Sequence, residues 1–187
     1  MPFASDQPPA STVNLPLFPL GTAVFPGSLL PLQVFELRYL QMIGECERQG
    51  STFGVVTLSR GAEVHQPGGP AEQFEPIGTR MRLDKVTRPR PGLLHIVCRA
   101  LDTFEVVHPQ QRGDGLWQAE VRPLPAEPAL AVPEHLRYLS EQMVDALQRL
   151  QDPAMDPPPW PQPWHASDCA WLSHRWSELL PLPTTMK

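Results

Sequence analysis

The sequence predicts an α+β fold, mainly β: a small, twisted β-barrel with one inserted helix, followed by a small C-terminal helical subdomain. Three observations carry the prediction. Segments rich in Val, Leu, Ile and Phe recur between residues 13 and 124 with Gly, Pro and Asp between them, the spacing of short strands in a barrel. Within that run, residues 36 to 49 change their apolar period from two to 3.6. After a proline-rich break at residues 123 to 133, the chain carries two more helical patterns. The expected division is therefore a mobile arm over 1–12, a barrel over 13–124 and a helical part over 125–187 with a Pro-rich loop at 152–166.

The organising stretch is Leu15 to Glu36, LPLFPLGTAVFPGSLLPLQVFE, uncharged until its last residue. Pro16, Pro19, Pro26 and Pro31 exclude a helix there, so the backbone is extended and its apolar side chains need cover from later strands. Val13–Leu20 is the first strand, with Leu15 and Leu17 on one face and Phe18 and Leu20 on the other; its prolines require a free or bulged edge. Ala23–Phe25 reads as a second short piece. Pro26-Gly27 suits a type II turn, and Leu29–Phe35 is a strand. In the helix over 36–49, Tyr39, Met42, Ile43 and Cys46 make one apolar stripe, Glu36, Arg38, Glu45, Glu47 and Arg48 are mostly assigned to solvent, and Gly50 ends it. Thr52–Leu58 is a core strand, and residues 59–73 are a loop containing the turn sequence HQPGGP.

Phe74–Arg88 is a long strand with Ile77, Thr79, Met81 and Leu83 on one face and a bulge expected at Asp84-Lys85. Residues 88–92 turn a hairpin, and Leu93–Ala100, Thr103–His108 and Leu116–Leu124 read as three further strands. A helix opens at Pro133 or Glu134 and runs to about residue 151, with Leu136, Leu139, Met143, Ala146, Leu147 and Leu150 on one side. Trp160 and Trp164 are expected to anchor the Pro-rich loop. Ser167 or Asp168 caps a last helix to Leu180.

Composition narrows the function classes. The formal charge of −5 argues against a bulk nucleic-acid binder. Three widely spaced cysteines fit a reducing compartment rather than a disulfide framework. The N-terminus has no signal-peptide pattern, and no run approaches the ~18 apolar residues of a membrane helix, so the expected location is cytoplasmic. No G-x-x-x-x-G-K-[ST] loop is present. Lysine occurs only at 85 and 187, which leaves no Ser-Lys dyad. The six histidines show no metal-binding spacing, and Ser173 and His174 are adjacent, so their side chains diverge on a helix. The expectation is no catalysis, no metal and no cofactor.

LPLFPLGTAVFPG, LPLQVFELRY, MIGEC and FGVVTL together resemble the N-terminal substrate-recognition domain of Lon proteases, in its short stand-alone bacterial form. PIGT at 76–79, LDTFEV at 101–106 and WLSHRWSELLPLP at 171–183 add to the resemblance through order and spacing. It implies a PUA-like β-barrel with an inserted helix and a helical subdomain, and a role in contacting polypeptides as a recognition or adaptor module. Family members commonly continue into another helix beyond the Leu-Pro-Leu-Pro motif, so the helical part here is expected to be minimal or incomplete. The candidate peptide groove has Pro26, Gly27, Leu30 and Phe35 as its wall and Glu36, Arg38 and Tyr39 as its rim. The alternative is an RNA-binding barrel using the basic face of Arg80, Arg82, Arg88, Arg90 and Arg99; aromatic residues to stack bases are missing there.

Overall fold

The computed structural model describes residues 12–64, 69–150, 160–181, 183 and 186. The expected arm (all but Thr12), residues 65–68 of the loop turn, the 151–159 part of the Pro-rich loop and Leu182 lie outside the described residues. The described residues form six strands and three α-helices in the order β1 (Val13–Leu20), β2 (Leu29–Val34), α1 (Leu37–Gln49), β3 (Phe53–Arg60), β4 (Gln73–Arg90), β5 (Leu93–Gln111), β6 (Trp117–Pro123), α2 (Arg137–Leu150) and α3 (Cys169–Leu179).

The strands form one twisted sheet in the order β2-β5-β4-β3-β1-β6, and β5 also pairs with β6. The pairings therefore run in a circuit from β1 through β3, β4, β5 and β6 back to β1, which gives the sheet its barrel character. β1 pairs with β3 in parallel from Leu17↔Gly54 to Leu20↔Thr57 and with β6 antiparallel from Val13↔Val121 to Leu17↔Trp117. Strand β2 stands outside the circuit, paired on one side only, to the first half of β5. Its Pro31 lacks an N–H, as suits an edge strand.

Two of the expected strands, Leu93–Ala100 and Thr103–His108, are one strand, β5. The polar Leu101-Asp102 step reads as a break, but it is a bulge. Register passes from Thr79↔Thr103 to Met81↔Ala100, two residues on β4 against three on β5. The bulge lets β5 exchange β2 for β6 as its neighbour. The slip expected at Asp84-Lys85 is present, between Leu83↔Cys98 and Lys85↔Val97. Residues 23–25 form no strand; Phe25 stacks on His174 with ring centroids 5.1 Å apart. Ile77 does not join Thr79 and Met81 in the core. It is 46% exposed, beside the point where β3–β4 pairing slips from Val56↔Gly78 to Leu58↔Phe74.

The apolar faces of β1 enter two different clusters. Phe18 and Leu20 pack with Tyr39, Met42, Ile43 and Cys46 of α1 and with Val55, Met81, Ile96 and Cys98 of the sheet. Leu15 and Leu17 pack with Val56, Phe104, Ala119 and Val121. A third cluster lies in the helical part, where Met143, Leu147 and Leu172 meet Trp160, Trp164, Trp171 and Trp176. A 3₁₀ turn, Glu134–Leu136, precedes α2, and Leu150 is exposed rather than in the stripe expected for it. Asp168 caps α3, its carboxylate accepting from Trp171 N at 2.9 Å.

Candidate functional site

The residues that the sequence offers as a peptide groove fall into three settings. Pro26 and Gly27 turn the chain, with Gly27 at φ +86, and they lie under α3. Arg175 Nη2 donates to the Pro26 carbonyl at 3.1 Å and to Glu178 at 3.0 Å. Glu178 also accepts from Ser28 Oγ and, at 2.8 Å, from Trp160 Nε1. Arg175 is 1% exposed; burial lowers its pKa against the pull of Glu178. Leu30 is partly buried against the first cluster. The second setting is open: Phe35 is 53% exposed and Leu37 69%, an apolar pair where β2 hands the chain into α1.

The third setting is buried. Arg38 is 6% exposed, not at the surface where helical periodicity places it. Its guanidinium donates to Glu72 at 2.9 Å, to the Gly115 carbonyl at 2.8 Å and to Glu36 at 3.2 Å. Burial opposes the charge, but the hydrogen bond to Glu72 and the surrounding groups carry its pKa above the ordinary arginine value. Arg38 lies 4.5 Å from the Tyr39 ring centroid, and Tyr39 stacks on Phe18 at 4.0 Å. Burial pushes the Tyr39 phenol above the ordinary tyrosine range. Glu72 accepts from Trp117 Nε1 at 2.6 Å as well. No local pattern marks Glu72, since it belongs to a loop whose spacing says nothing about its partner 34 residues earlier.

The basic face is an ion-paired lattice. Arg80 pairs with Asp102, Arg88 with Glu47, and Asp84 takes both Arg82 at 3.3 Å and Arg99 at 2.7 Å. Arg90 is exposed at the hairpin. Four of these five arginines thus meet carboxylates of the chain itself.

Two of the surface concavities adjoin these elements. A cleft of about 840 Å³ runs between the first half of β1, the outer side of α1 around Gly44 and the turn before β6. A smaller one, about 360 Å³, lies between residues 23–25 and Pro76–Ile77. Cys46 and Cys98 are buried and Cys169 half-buried; burial pushes the Cys98 thiol up to about 12. Among the described residues no three His, Cys, Asp or Glu side chains converge to hold a metal, and no helix is long and apolar enough to cross a membrane.

The family model for the ATP-dependent protease La (LON) substrate-binding domain matches residues 14–185. A solved Lon N-terminal domain protein from Xanthomonas campestris is similar over 92% of this chain and 86% of its own, with 28% identity and a TM-score of 0.68. The N-terminal domain of a Mycobacterium avium complex Lon protease shares the fold, with a TM-score of 0.57 at 14% identity over 93% of this chain and 87% of that one. Lon protease 2 of Myxococcus xanthus is 35% identical over 94 residues, and Lon protease of Anaeromyxobacter dehalogenans 34% over 94 residues; each match takes in 50% of this chain and 11% of the protease.

Proposed function

The chain belongs to the Lon substrate-binding domain family, and from that premise we propose that it is a non-catalytic polypeptide-binding module, serving substrate recognition or adaptor binding. The family match over residues 14–185 carries the reading; the exposed Phe35–Leu37 pair supplies a surface for it. In this reading Phe35 and Leu37 make apolar contact with an unfolded segment, and Leu30 and the edge of β2 continue the contact. Glu36 is the polar rim, while Arg38 and Tyr39 fix the start of α1 from beneath. Pro26 and Gly27 form the far end, held by Arg175. The 187 residues carry no phosphate-binding loop, so the proposed role is recognition alone, in a compartment that keeps thiols reduced. The RNA alternative draws no support from arginines already neutralised by Asp102, Asp84 and Glu47.

The test is fluorescence anisotropy with labelled, reduced and carboxymethylated α-lactalbumin as a permanently unfolded probe. The wild-type chain is expected to bind it, and Phe35→Asp with Leu37→Asp to weaken binding roughly 10–100-fold, the size of losing two apolar anchors. A wild-type chain that leaves the probe's anisotropy unchanged would refute the module.

A further inference from the structure

Among the described residues, strand β1 has a strand neighbour along its whole length on neither side. It pairs with β6 over Val13–Leu17 but with β3 only from Leu17 onward, because the chain before Phe53 turns away through Gly50 into α1. Among the described residues, 13–16 have no strand partner on the β3 side, and they line the 840 Å³ cleft. Successive residues of a strand turn their N–H and C=O groups to alternate edges, so two of these four turn main-chain groups away from β6, and Pro16 has a carbonyl but no N–H to offer. The open edge is about 13 Å long at ~3.3 Å per residue.

The opposite wall carries a second, independent feature. Gly44 sits in the middle of α1 and lines the cleft. A glycine there costs the helix about 1 kcal/mol relative to alanine. No packing constraint explains it, since a Cβ built at Gly44 meets nothing within 4 Å. A missing side chain in open space lowers the helix surface and lets another backbone come close. The charges lining the cleft are mixed, Arg48 and Arg112 with Glu45 and Asp114, and the third arginine, Arg38, is already paired with Glu72 and Glu36, in a chain whose formal charge is −5. Such a wall complements an uncharged main chain rather than a charged side chain.

We infer that this cleft binds an extended polypeptide segment by strand addition: the segment continues the line of β3, pairs its main chain with β1 residues 13–16 and passes over Gly44. The inference rests on the polypeptide-binding reading and adds to it a mode of recognition. Pairing through the main chain gives affinity without reading side-chain identity, which suits a module that meets many unfolded sequences.

The experiment uses the 187-residue chain and the same carboxymethylated α-lactalbumin probe. Gly44→Trp obstructs the cleft beside α1 and is expected to weaken binding at least about tenfold, with a urea midpoint no lower than wild type. Gly44→Ala is expected to bind within about threefold of wild type. Independently of any variant, saturating wild type with probe is expected to slow hydrogen exchange at those amides of residues 13–15 that point away from β6. If wild type binds while Gly44→Trp binds equally well, or while those amides stay unprotected, strand addition is overturned and the module reading stands. If wild type does not bind, the module reading falls and takes this inference with it.

Discussion

Arg38 is a charge kept inside the molecule because three segments converge on it. Glu36 at the start of α1, Glu72 from the loop before β4 and the Gly115 carbonyl from the turn before β6 all accept from it. A buried ion of this kind is stable only while its partners remain. Glu72→Ala takes from the guanidinium its most buried carboxylate, leaving it Glu36 and the Gly115 carbonyl, and leaves the Trp117 indole N–H without its acceptor, so a loss of about 3 kcal/mol is expected by urea unfolding. Glu105→Ala, which breaks an exposed pair with Arg122 at 3.3 Å, is expected to shift stability by less than about 1 kcal/mol. Equal losses from the two variants would contradict this account of Arg38. The sequence conceals the feature, because Arg38 precedes the Tyr39 stripe and so reads as solvent-facing. Cys98 is the opposite case: apolar neighbours announce a core thiol, and it is buried. Its pKa, raised by burial to about 12, stands above the ordinary value of about 8.5 that it takes when unfolded. Its contribution to stability is therefore complete below about pH 8.5 and is lost as pH rises toward 12. Cys98→Ala is expected to flatten the decline of stability above pH 9, whatever it does to stability at pH 7. In native protein at pH 8, Cys169 is expected to react with a thiol reagent well before Cys46 and Cys98, as read by mass spectrometry of the labelled peptides.

At the scale of elements, β-branched runs and turn residues made the strands legible, while the bulge at Leu101-Asp102 hid the continuity of β5. The TFGVVTL and PIGT segments were legible as strands, but the sequence does not say why glycine stands in each. A Cβ on Gly54 would lie 2.6 Å from Phe104 Cζ and 2.8 Å from Leu17 Cδ2. One on Gly78 would lie 2.5 Å from Phe104 Cζ and 2.7 Å from the Val55 carbonyl oxygen. The Phe104 ring is thus laid across β3 and β4, and two glycines on neighbouring strands make room for it. Both Gly→Ala changes overpack the second cluster, by about 1–3 kcal/mol or more. They differ in what resists. At Gly54 the obstacles are side chains; at Gly78 one of them is backbone. Phe104→Leu is therefore expected to recover much of the loss in Gly54→Ala but little in Gly78→Ala, measured as the interaction energy of two double-mutant cycles. Equal coupling in the two cycles would show that the Val55 carbonyl is not the limiting contact. Gly44 was less legible still, because its meaning lies in the empty space beside it.

Across the whole molecule, the question is how the helical part holds to the sheet. It has its own apolar cluster around Met143, Leu147 and Leu172. It reaches the β1–β2 connection through Arg175, which donates to the Pro26 carbonyl, through Glu178, which accepts from Ser28 and is held by Trp160 Nε1, and through the Phe25–His174 stack. The WLSHRWSELLPLP segment announced a helix, but nothing in it announced that its arginine would be buried against a turn 149 residues earlier. We propose that the division expected at residue 124 takes this form: the sheet clusters on one side and the helical cluster on the other, joined by a polar latch. Glu178→Ala leaves Arg175 charged, buried and without its carboxylate, and removes the acceptor of Ser28 and Trp160. The loss expected is about 3–5 kcal/mol, and its location matters more than its size. Residues 13–124 keep both sheet clusters intact, so the loss should fall on the helical part first. Trp160, Trp164, Trp171 and Trp176 all lie there, leaving only Trp117 in the sheet. Tryptophan fluorescence of Glu178→Ala should therefore change at lower urea than in wild type, while hydrogen exchange keeps β3, β4 and β5 protected and shows α2 and α3 opening. If strands and helices lose protection together at one urea concentration, the two cores unfold as a single unit, and the latch is part of one domain rather than the joint between two.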